Sequence, residues 1–143
     1  MEVEPTCPMC GLHPEDTMHA LVSCVYARAV RSHTTLPSFS PPYAEFPLWF
    51  EGVLTNFSSD NIMLAAAVLY HKWRARNRAV WEAALPSPRA VATAATATLQ
   101  AWRLVHASSP QGHPHSTGTL RLVHGHYIAA FNSHPRACLS FLH

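Results

Sequence analysis

The sequence predicts a mainly α-helical protein: a small N-terminal module held together by clustered cysteines, then a few packed helices and a poorly ordered C-terminal tail. Three of the four cysteines lie within residues 7–24. In several segments up to residue 107, apolar residues recur every three or four positions, which is the spacing of an amphipathic helix. Beyond that residue the periodicity ends. A chain of 143 residues fits one domain with appendages.

The N-terminal module covers residues 1–33. Proline and glycine punctuate residues 1–16, which we expect to form a loop. A helix over about residues 17–32 is predicted by an i, i+4, i+8 repeat of apolar positions, namely Leu21, Val25 and Ala29. Residues 34–45 are rich in proline and serine and predict a linker to the next part of the chain.

The helical region covers residues 46–107. Periodicity and capping residues predict three helices there, at about 46–56, 60–84 and 88–106. Ser87 can cap the last of them, with Pro88 at its first position. The expected buried stripe of the middle helix is Ile62, Ala66, Leu69, Trp73, Val80 and Ala84. Residues 108–143 show neither repeat nor periodicity and are predicted to be the poorly ordered tail.

The cysteine cluster has the spacing of a metal site. Its pattern is C-x2-C-x8-H-x4-C, formed by Cys7, Cys10, His19 and Cys24. Tetrahedral Zn²⁺ is held by such sets of thiolate and imidazole ligands. Four protein ligands leave no open position for water, so the sequence predicts a structural Zn²⁺ rather than a catalytic one. Binding of such an ion contributes on the order of 10 kcal/mol to folding.

Two features leave the ligand set open. His19 and Cys24 are five positions apart, about 500° around an α-helix, so the helix must begin irregularly or one ligand must lie at its edge. His13 could replace His19, although it lies in the loop before the helix. Free thiols that hold no metal, or a disulfide, are the alternatives to a metal site.

Residues 7–30, CPMCGLHPEDTMHALVSCVYARAV, resemble the zinc-binding domain that follows the polymerase in plant LINE-type (non-LTR) retrotransposon reverse transcriptases. That family has C-x2-C, an acidic residue four positions before the histidine, and H-x4-C; Glu15 matches the acidic residue. The segment FPLWFEGVL at 46–54 resembles the family's aromatic segment. The segment LYHKWRARNRAVWE resembles its W-x-x-R-N helix through Trp73, Arg76, Asn77, Val80 and Trp81.

The resemblance covers about residues 5–107 and implies a fragment that lacks the polymerase and RNase H domains. The family usually has a tryptophan where Arg31 stands. Packing at the end of the first helix therefore departs from the family pattern.

The acidic residues argue against both catalytic activities of such a parent element. A polymerase needs paired aspartates for two metal ions, whereas this chain has only Asp16 and Asp60. An RNase H site needs several converging carboxylates, and no Asp or Glu follows Glu82. No G-x-S-x-G motif supports a serine hydrolase. We therefore expect no enzymatic activity and no small-molecule substrate.

Charge is divided unevenly along the chain. Residues 1–60 hold seven acidic and two basic residues, and residues 61–143 hold one acidic and eight basic residues. Four of these bases fall in one helix and are candidates for contacts with nucleic-acid phosphates: Lys72, Arg74, Arg76 and Arg78. Four charges predict weak binding without sequence preference, and a solvated helix face is the alternative. Trp73 and Trp81 are expected to face the core.

The expected partner is RNA or DNA. The alternative is a vestigial or protein-interaction product whose helices expose an apolar face to a protein partner. No segment is long and apolar enough to cross a membrane, and the acidic N-terminus lacks the apolar stretch of a signal peptide. We therefore expect an intracellular protein, in the nucleus or cytoplasm, without membrane contact.

Overall fold

The computed structural model describes residues 5–39 and 44–107 of the chain. Within these ranges the chain is mainly helical, and Thr6 and Pro14 form an isolated β-bridge without any strand. The elements are a π-helical turn and four α-helices: the turn His19–Ser23, α1 (Val25–Ser32), α2 (Phe46–Asn56), α3 (Ser59–Trp81) and α4 (Pro88–Ala107). The prediction of a mainly α-helical protein with a Cys/His cluster near its N-terminus is confirmed.

Parts of two predicted regions lie outside the described residues: the tail at 108–143 and the middle of the linker at 34–45. The chain divides into two compact units, Met1–Gln100 and Ala101–His143. Of the second unit only the end of α4 is described, where the rings of Trp102 and His106 stack with their centroids 4.0 Å apart. In the described part, no helix combines the length and apolarity that a membrane span requires.

Serine side chains cap α3 and α4 at their starts. Ser58 Oγ accepts a hydrogen bond from Asn61 N–H at 3.3 Å. Ser87 Oγ accepts one from Ala90 N–H at 3.2 Å, and Pro88 is the first residue of α4, as the sequence predicts. Each cap satisfies an N–H group that has no partner within its helix.

The end of α3 differs slightly from the prediction. The helix stops at Trp81 rather than near residue 84. Ala83, two residues later, has a φ of 48°, the left-handed conformation that ends many helices. Glycine is the usual residue at such a position, so alanine provides no sequence signal for this helix end.

One core joins the N-terminal module to α3 and α4. Its buried side chains include Cys7, Cys24, Ala27 and Val30 of the module, Leu64, Ala67, Val68 and Ala75 of α3, and Val91, Ala95 and Leu99 of α4. Both the π-helical turn and α1 contact α3. A segment as short as the module buries little apolar surface by itself, so its seat on α3 supplies much of its hydrophobic stabilisation.

The buried face of α3 agrees with the predicted one only at Leu69. Val80 is 42% exposed and Trp81, which was expected to face the core, is 63% exposed. The buried residues are instead Leu64, Ala65, Ala67, Val68, Leu69, Lys72 and Ala75. Of the predicted stripe, Leu69 is among these residues. The other positions were misassigned because the prediction followed apolar residues alone, whereas the buried face includes a lysine.

In the first helical segment Leu21 of the predicted repeat is buried, but after Cys24 the chain buries a different face. The predicted repeat assumed one continuous α-helix, but the chain leaves helical geometry at Cys24, whose ψ is 140°. This break shifts the register of the following residues. Val25 is therefore 62% exposed, whereas the buried residues of α1 are Tyr26, Ala27 and Val30.

Candidate metal centre

The first two cysteines lie in a tight loop. Gly11 N–H donates to Cys7 O at 2.8 Å, and Cys7 N–H donates to His13 O at 2.8 Å. Gly11 has a φ of +66°, which residues with a side chain rarely adopt. These bonds fix the backbone from residue 7 to 13, so the loop presents Cys7 and Cys10 on the same side.

The π-helical turn brings the second pair of candidate ligands together. Cys24 N–H donates to His19 O at 2.7 Å, which is the i+5 to i hydrogen bond of π geometry. Asp16 Oδ1 accepts a hydrogen bond from His19 N–H at 2.7 Å, which fixes the backbone just before the turn. In this geometry residues five positions apart, such as His19 and Cys24, lie on nearly the same side of the helix. Of the two possibilities that the sequence leaves open, an irregular helix start or a ligand at the helix edge, the structure has the first, in the form of a π turn.

The four predicted ligands converge. One ligand atom from each residue lies within 4.8 Å of the other three. Cys7 Sγ is 3.9 Å from Cys24 Sγ, and Cys10 Sγ is 3.4 Å from His19 Nε2. Sulfur ligands about 2.3 Å from a tetrahedral ion are about 3.8 Å apart, so this spacing fits a metal ion. The group could therefore hold one.

His13 does not belong to the converging group, although its ring centroid is 5.4 Å from that of His19. Cys7, Cys10 and Cys24 are free thiols, without a disulfide among the described residues. Of the alternatives that the sequence leaves open, the structure therefore favours the set with His19 and disfavours a disulfide in this cluster.

The surroundings act differently on the thiols. Cys7 and Cys24 are fully buried, whereas Cys10 is half-buried. Burial raises the pKa of Cys7 to about 11. The backbone N–H of Leu12, 3.5 Å from Cys10 Sγ, and the His19 ring lower the pKa of Cys10 to about 6. A metal ion that binds here would displace the proton of Cys7 and meet Cys10 already ionised at neutral pH.

The structure corrects the placement of Lys72, which the sequence predicts at a phosphate-binding surface. The side chain is 4% exposed. Its Nζ donates to Leu21 O of the π-helical turn at 3.0 Å. Burial and, to a smaller extent, the charge of Arg31 lower the pKa of Lys72, while the charge of Cys24 opposes the shift; the resulting pKa is about 7. Lys72 thus supports the π-helical turn of the Cys/His cluster and does not lie on an exposed basic face.

Arg76 also contacts the N-terminal module. Its Nε and Nη2 donate to the two carboxylate oxygens of Glu15 at 2.7 and 2.8 Å. The side chains are 14% and 4% exposed for Arg76 and Glu15. A guanidinium engaged in this way is not available to a phosphate without breaking a buried pair. The predicted role of Arg76 in phosphate contact is therefore corrected as well.

The other two predicted bases are exposed, and they line one groove. Arg74 and Arg78 border a groove of about 230 Å³ between α3 and α4, together with His71. The floor of the groove is apolar and consists of Ala75, Pro86, Ala90, Val91 and Ala94. Arg74 lies over the ring of Tyr70 at 5.9 Å, and Arg78 pairs with Glu82 at 3.1 Å.

His71 contributes no positive charge to this groove at neutral pH. Burial lowers its pKa, and the neighbouring Arg74 charge adds to that effect. Its Nε2 is 2.9 Å from Thr98 Oγ1, which ties α3 to α4. The fixed charge of the groove therefore comes from the two arginines.

A second basic groove lies on α1, and it is not among the predicted sites. Arg28 and Arg31 line an open groove of about 630 Å³ with hydroxyl side chains of Ser32, Thr34 and Ser38. These arginines lie in the acidic half of the chain. Their spacing of three on a helix was the one available signal, since such positions share a face.

Comparison of the chain with protein-family models, with curated proteins and with solved structures finds no match. What this site can do is therefore argued from its own geometry: three sulfurs and an imidazole that converge on a fixed backbone.

Proposed function

We propose that this protein is a structural zinc-binding module that has no catalytic centre of its own and that contacts RNA or DNA weakly, without sequence preference. The observation that carries the proposal is the convergence of four ligand atoms within 4.8 Å of one another. Two of the four residues, Cys7 and Cys24, are fully buried, so an ion among them would be shielded from water.

The donor set favours zinc among the common divalent ions. Thiolates are soft ligands that select zinc over magnesium or calcium, and three thiolates with one imidazole is an established structural zinc combination. With four protein ligands the ion has no position for a reacting water. Its contribution is therefore to folding: it joins the loop at residues 7–13 to the π-helical turn.

The test is metal analysis of the purified full-length chain. We expect about one zinc per chain in the wild type and none in Cys24→Ser, which removes a fully buried ligand. Cys138→Ser is the matched control, because it removes the one cysteine outside the cluster. A wild-type chain that contains no metal, and whose circular dichroism is unchanged by a chelator, contradicts the proposal.

The nucleic-acid part of the proposal is supported by Arg74 and Arg78. Both are exposed, and both border the same groove between α3 and α4. The groove on α1 adds Arg28 and Arg31. Each phosphate contact releases counterions, so a few arginines give weak binding that depends on salt and not on sequence.

An origin in a retrotransposon reverse transcriptase remains part of the proposal, and contacts between the resembling segments support it. Arg76 of the W-x-x-R-N segment pairs with Glu15, the acidic residue of the zinc pattern. Arg76 Nη1 also donates to Asn77 Oδ1 at 3.2 Å. The two segments that carry the resemblance thus meet at one buried ion pair, which gives their joint occurrence a structural reason.

A second candidate function is protein interaction without nucleic-acid affinity. Exposed apolar side chains near the end of α3 favour it, since Val80, Trp81 and Leu85 are 42%, 63% and 41% exposed. A chain that self-associates, that regains the monomeric state in Trp81→Ser and that binds no oligonucleotide at low salt would favour this candidate.

A further inference from the structure

The proposed metal centre carries a net charge that the core has to balance. A divalent ion with three thiolates and a neutral imidazole has a charge of −1. Two of the three sulfurs are fully buried. An uncompensated charge in such surroundings is strongly unfavourable, so a cation is expected close by.

Of the lysine and arginine side chains described in or near the module, one suits this role, since Arg28 is exposed on α1. Arg76 is neutralised by Glu15, whose two oxygens it holds. Arg31 is half-buried and borders the open groove on α1. Lys72 is 4% exposed, and its Nζ lies 3.0 Å from the carbonyl oxygen of Leu21, between the candidate ligands His19 and Cys24.

The hydrogen bond of Lys72 places this charge against the ligand segment. Its Nζ donates to the carbonyl of Leu21, which lies in the π-helical turn between His19 and Cys24. Lys72 follows Val68 and precedes Ala75 on the buried face of α3, so its stem is fixed by the core. The bond therefore holds the turn that carries two of the four ligands.

We propose that Lys72 is the counter-cation of the metal–thiolate centre and the positioning residue of the π-helical turn. This inference rests on the proposed zinc-binding function. Lys72 supplies no ligand atom: its ammonium, which the adjacent charge of −1 keeps protonated, cancels that charge, and its donated hydrogen bond keeps His19 and Cys24 in register. The basic helix thereby serves the metal site on one face and leaves Arg74 and Arg78 on another.

The first experiment compares Lys72→Met with Lys72→Arg by competition for Zn²⁺ against a chromophoric chelator. Met has a stem of similar length without charge, and Arg keeps the charge. We expect Lys72→Met to lower zinc affinity about tenfold to hundredfold, as removal of a residue that supports metal ligands typically does. Lys72→Arg should keep most of the affinity. Equal affinity of Lys72→Met and wild type overturns the inference.

The second experiment separates charge from packing. Cys10 is half-buried, and Cys10→His replaces a thiolate by a neutral ligand, which makes the centre neutral. In that background Lys72→Met should cost less than in the wild type. An equal cost in both backgrounds means that Lys72 acts through packing alone and overturns the counter-cation role.

A spectroscopic control tests whether the ligands are unchanged in Lys72→Met. Co²⁺ in place of Zn²⁺ should give the same absorption bands in wild type and Lys72→Met, because both keep three sulfurs and one nitrogen. A changed spectrum means that a ligand no longer binds and contradicts a role in charge balance. If the wild-type chain binds no zinc, the proposed function fails. If the wild type binds zinc and Lys72→Met binds it with the same affinity, only the role of Lys72 fails.

Discussion

Arg76 on α3 donates hydrogen bonds to both carboxylate oxygens of Glu15, 61 residues away in sequence, at 2.7 and 2.8 Å. Glu15 lies between Cys10 and His19, so this ion pair fastens the centre of the ligand segment to the long helix. Lys72, one helical turn earlier, fastens the π-helical turn through Leu21. The ion pair of Arg76 and the hydrogen bond of Lys72 hold the N-terminal module on α3.

Removing one partner of this buried pair should destabilise the fold strongly. We expect Arg76→Gln to lower the free energy of unfolding by about 3–5 kcal/mol, because Glu15 would be left buried and unpaired. Arg76→Lys should also be costly, since a lysine cannot bind both oxygens. The measurement is urea denaturation with zinc present.

The exposed pair of Arg78 and Glu82 is the matched control, because its side chains are 49% and 57% exposed. Arg78→Gln should cost at most about 0.5 kcal/mol. Equal effects of Arg76→Gln and Arg78→Gln would contradict the importance of the buried pair.

Nucleic-acid binding should depend on Arg74 and Arg78. The double variant Arg74→Ala/Arg78→Ala should bind a single-stranded oligonucleotide more weakly. It should also reduce the slope of log affinity against log salt by about 0.7 for each phosphate that an arginine no longer neutralises. Fluorescence anisotropy at several salt concentrations measures both quantities.

The matched control for that variant is Arg89→Ala/Arg103→Ala, which removes two exposed arginines elsewhere. It should change the slope less. Salt-independent binding by the wild-type chain, or the same weakening in both double variants, would rule out a phosphate-binding groove between α3 and α4.

Tyr26 should make stability depend on alkaline pH. Its hydroxyl donates to Pro86 O at 2.6 Å, and burial raises its pKa above the ordinary value of 10.0. A raised pKa contributes stability that is fully present below pH 10 and is lost as pH rises through the folded-state pKa. Tyr26→Phe should cost about 1 kcal/mol at neutral pH and lose less stability above pH 10.

Urea denaturation at pH 7 and at several values above pH 10 measures this effect, with Tyr70→Phe as the control. The difference between wild type and Tyr26→Phe should shrink as pH rises. A difference that stays constant or grows would show that the hydroxyl of Tyr26 is not responsible.

Ala83→Gly should stabilise the protein. Ala83 has a φ of 48°, and the left-handed conformation costs a residue with a side chain roughly 1–2 kcal/mol. After allowance for the greater freedom of glycine in the unfolded chain, we expect a gain of about 0.5–1 kcal/mol. Thermal denaturation should show a rise of a few degrees. The control is Ala84→Gly, which should lower the melting temperature because position 84 has no positive φ. A lower melting temperature in Ala83→Gly as well would contradict a left-handed conformation at residue 83.

Features that depend on neighbours along the chain could be predicted from the residues alone. The spacing of Cys7, Cys10, His19 and Cys24 indicated the ligand group, and the five-residue gap between the last two predicted either an irregular helix start or a ligand at the helix edge. Ser87 and Pro88 marked the start of α4, and periodicity indicated the helical character of residues 46–107. Such features arise from backbone geometry over a few residues, so a single sequence contains them.

The buried side of α3 and the roles of its basic residues depend instead on how the chain packs. A lysine side chain in a helix is expected to be exposed, because burial of a charge is unfavourable without a partner. The partners of Lys72 and Arg76 are 51 and 61 residues away in sequence, in the metal module. No periodicity encodes a pairing over that distance, so the division of this helix into buried supports and exposed arginines emerges only when the module packs on it.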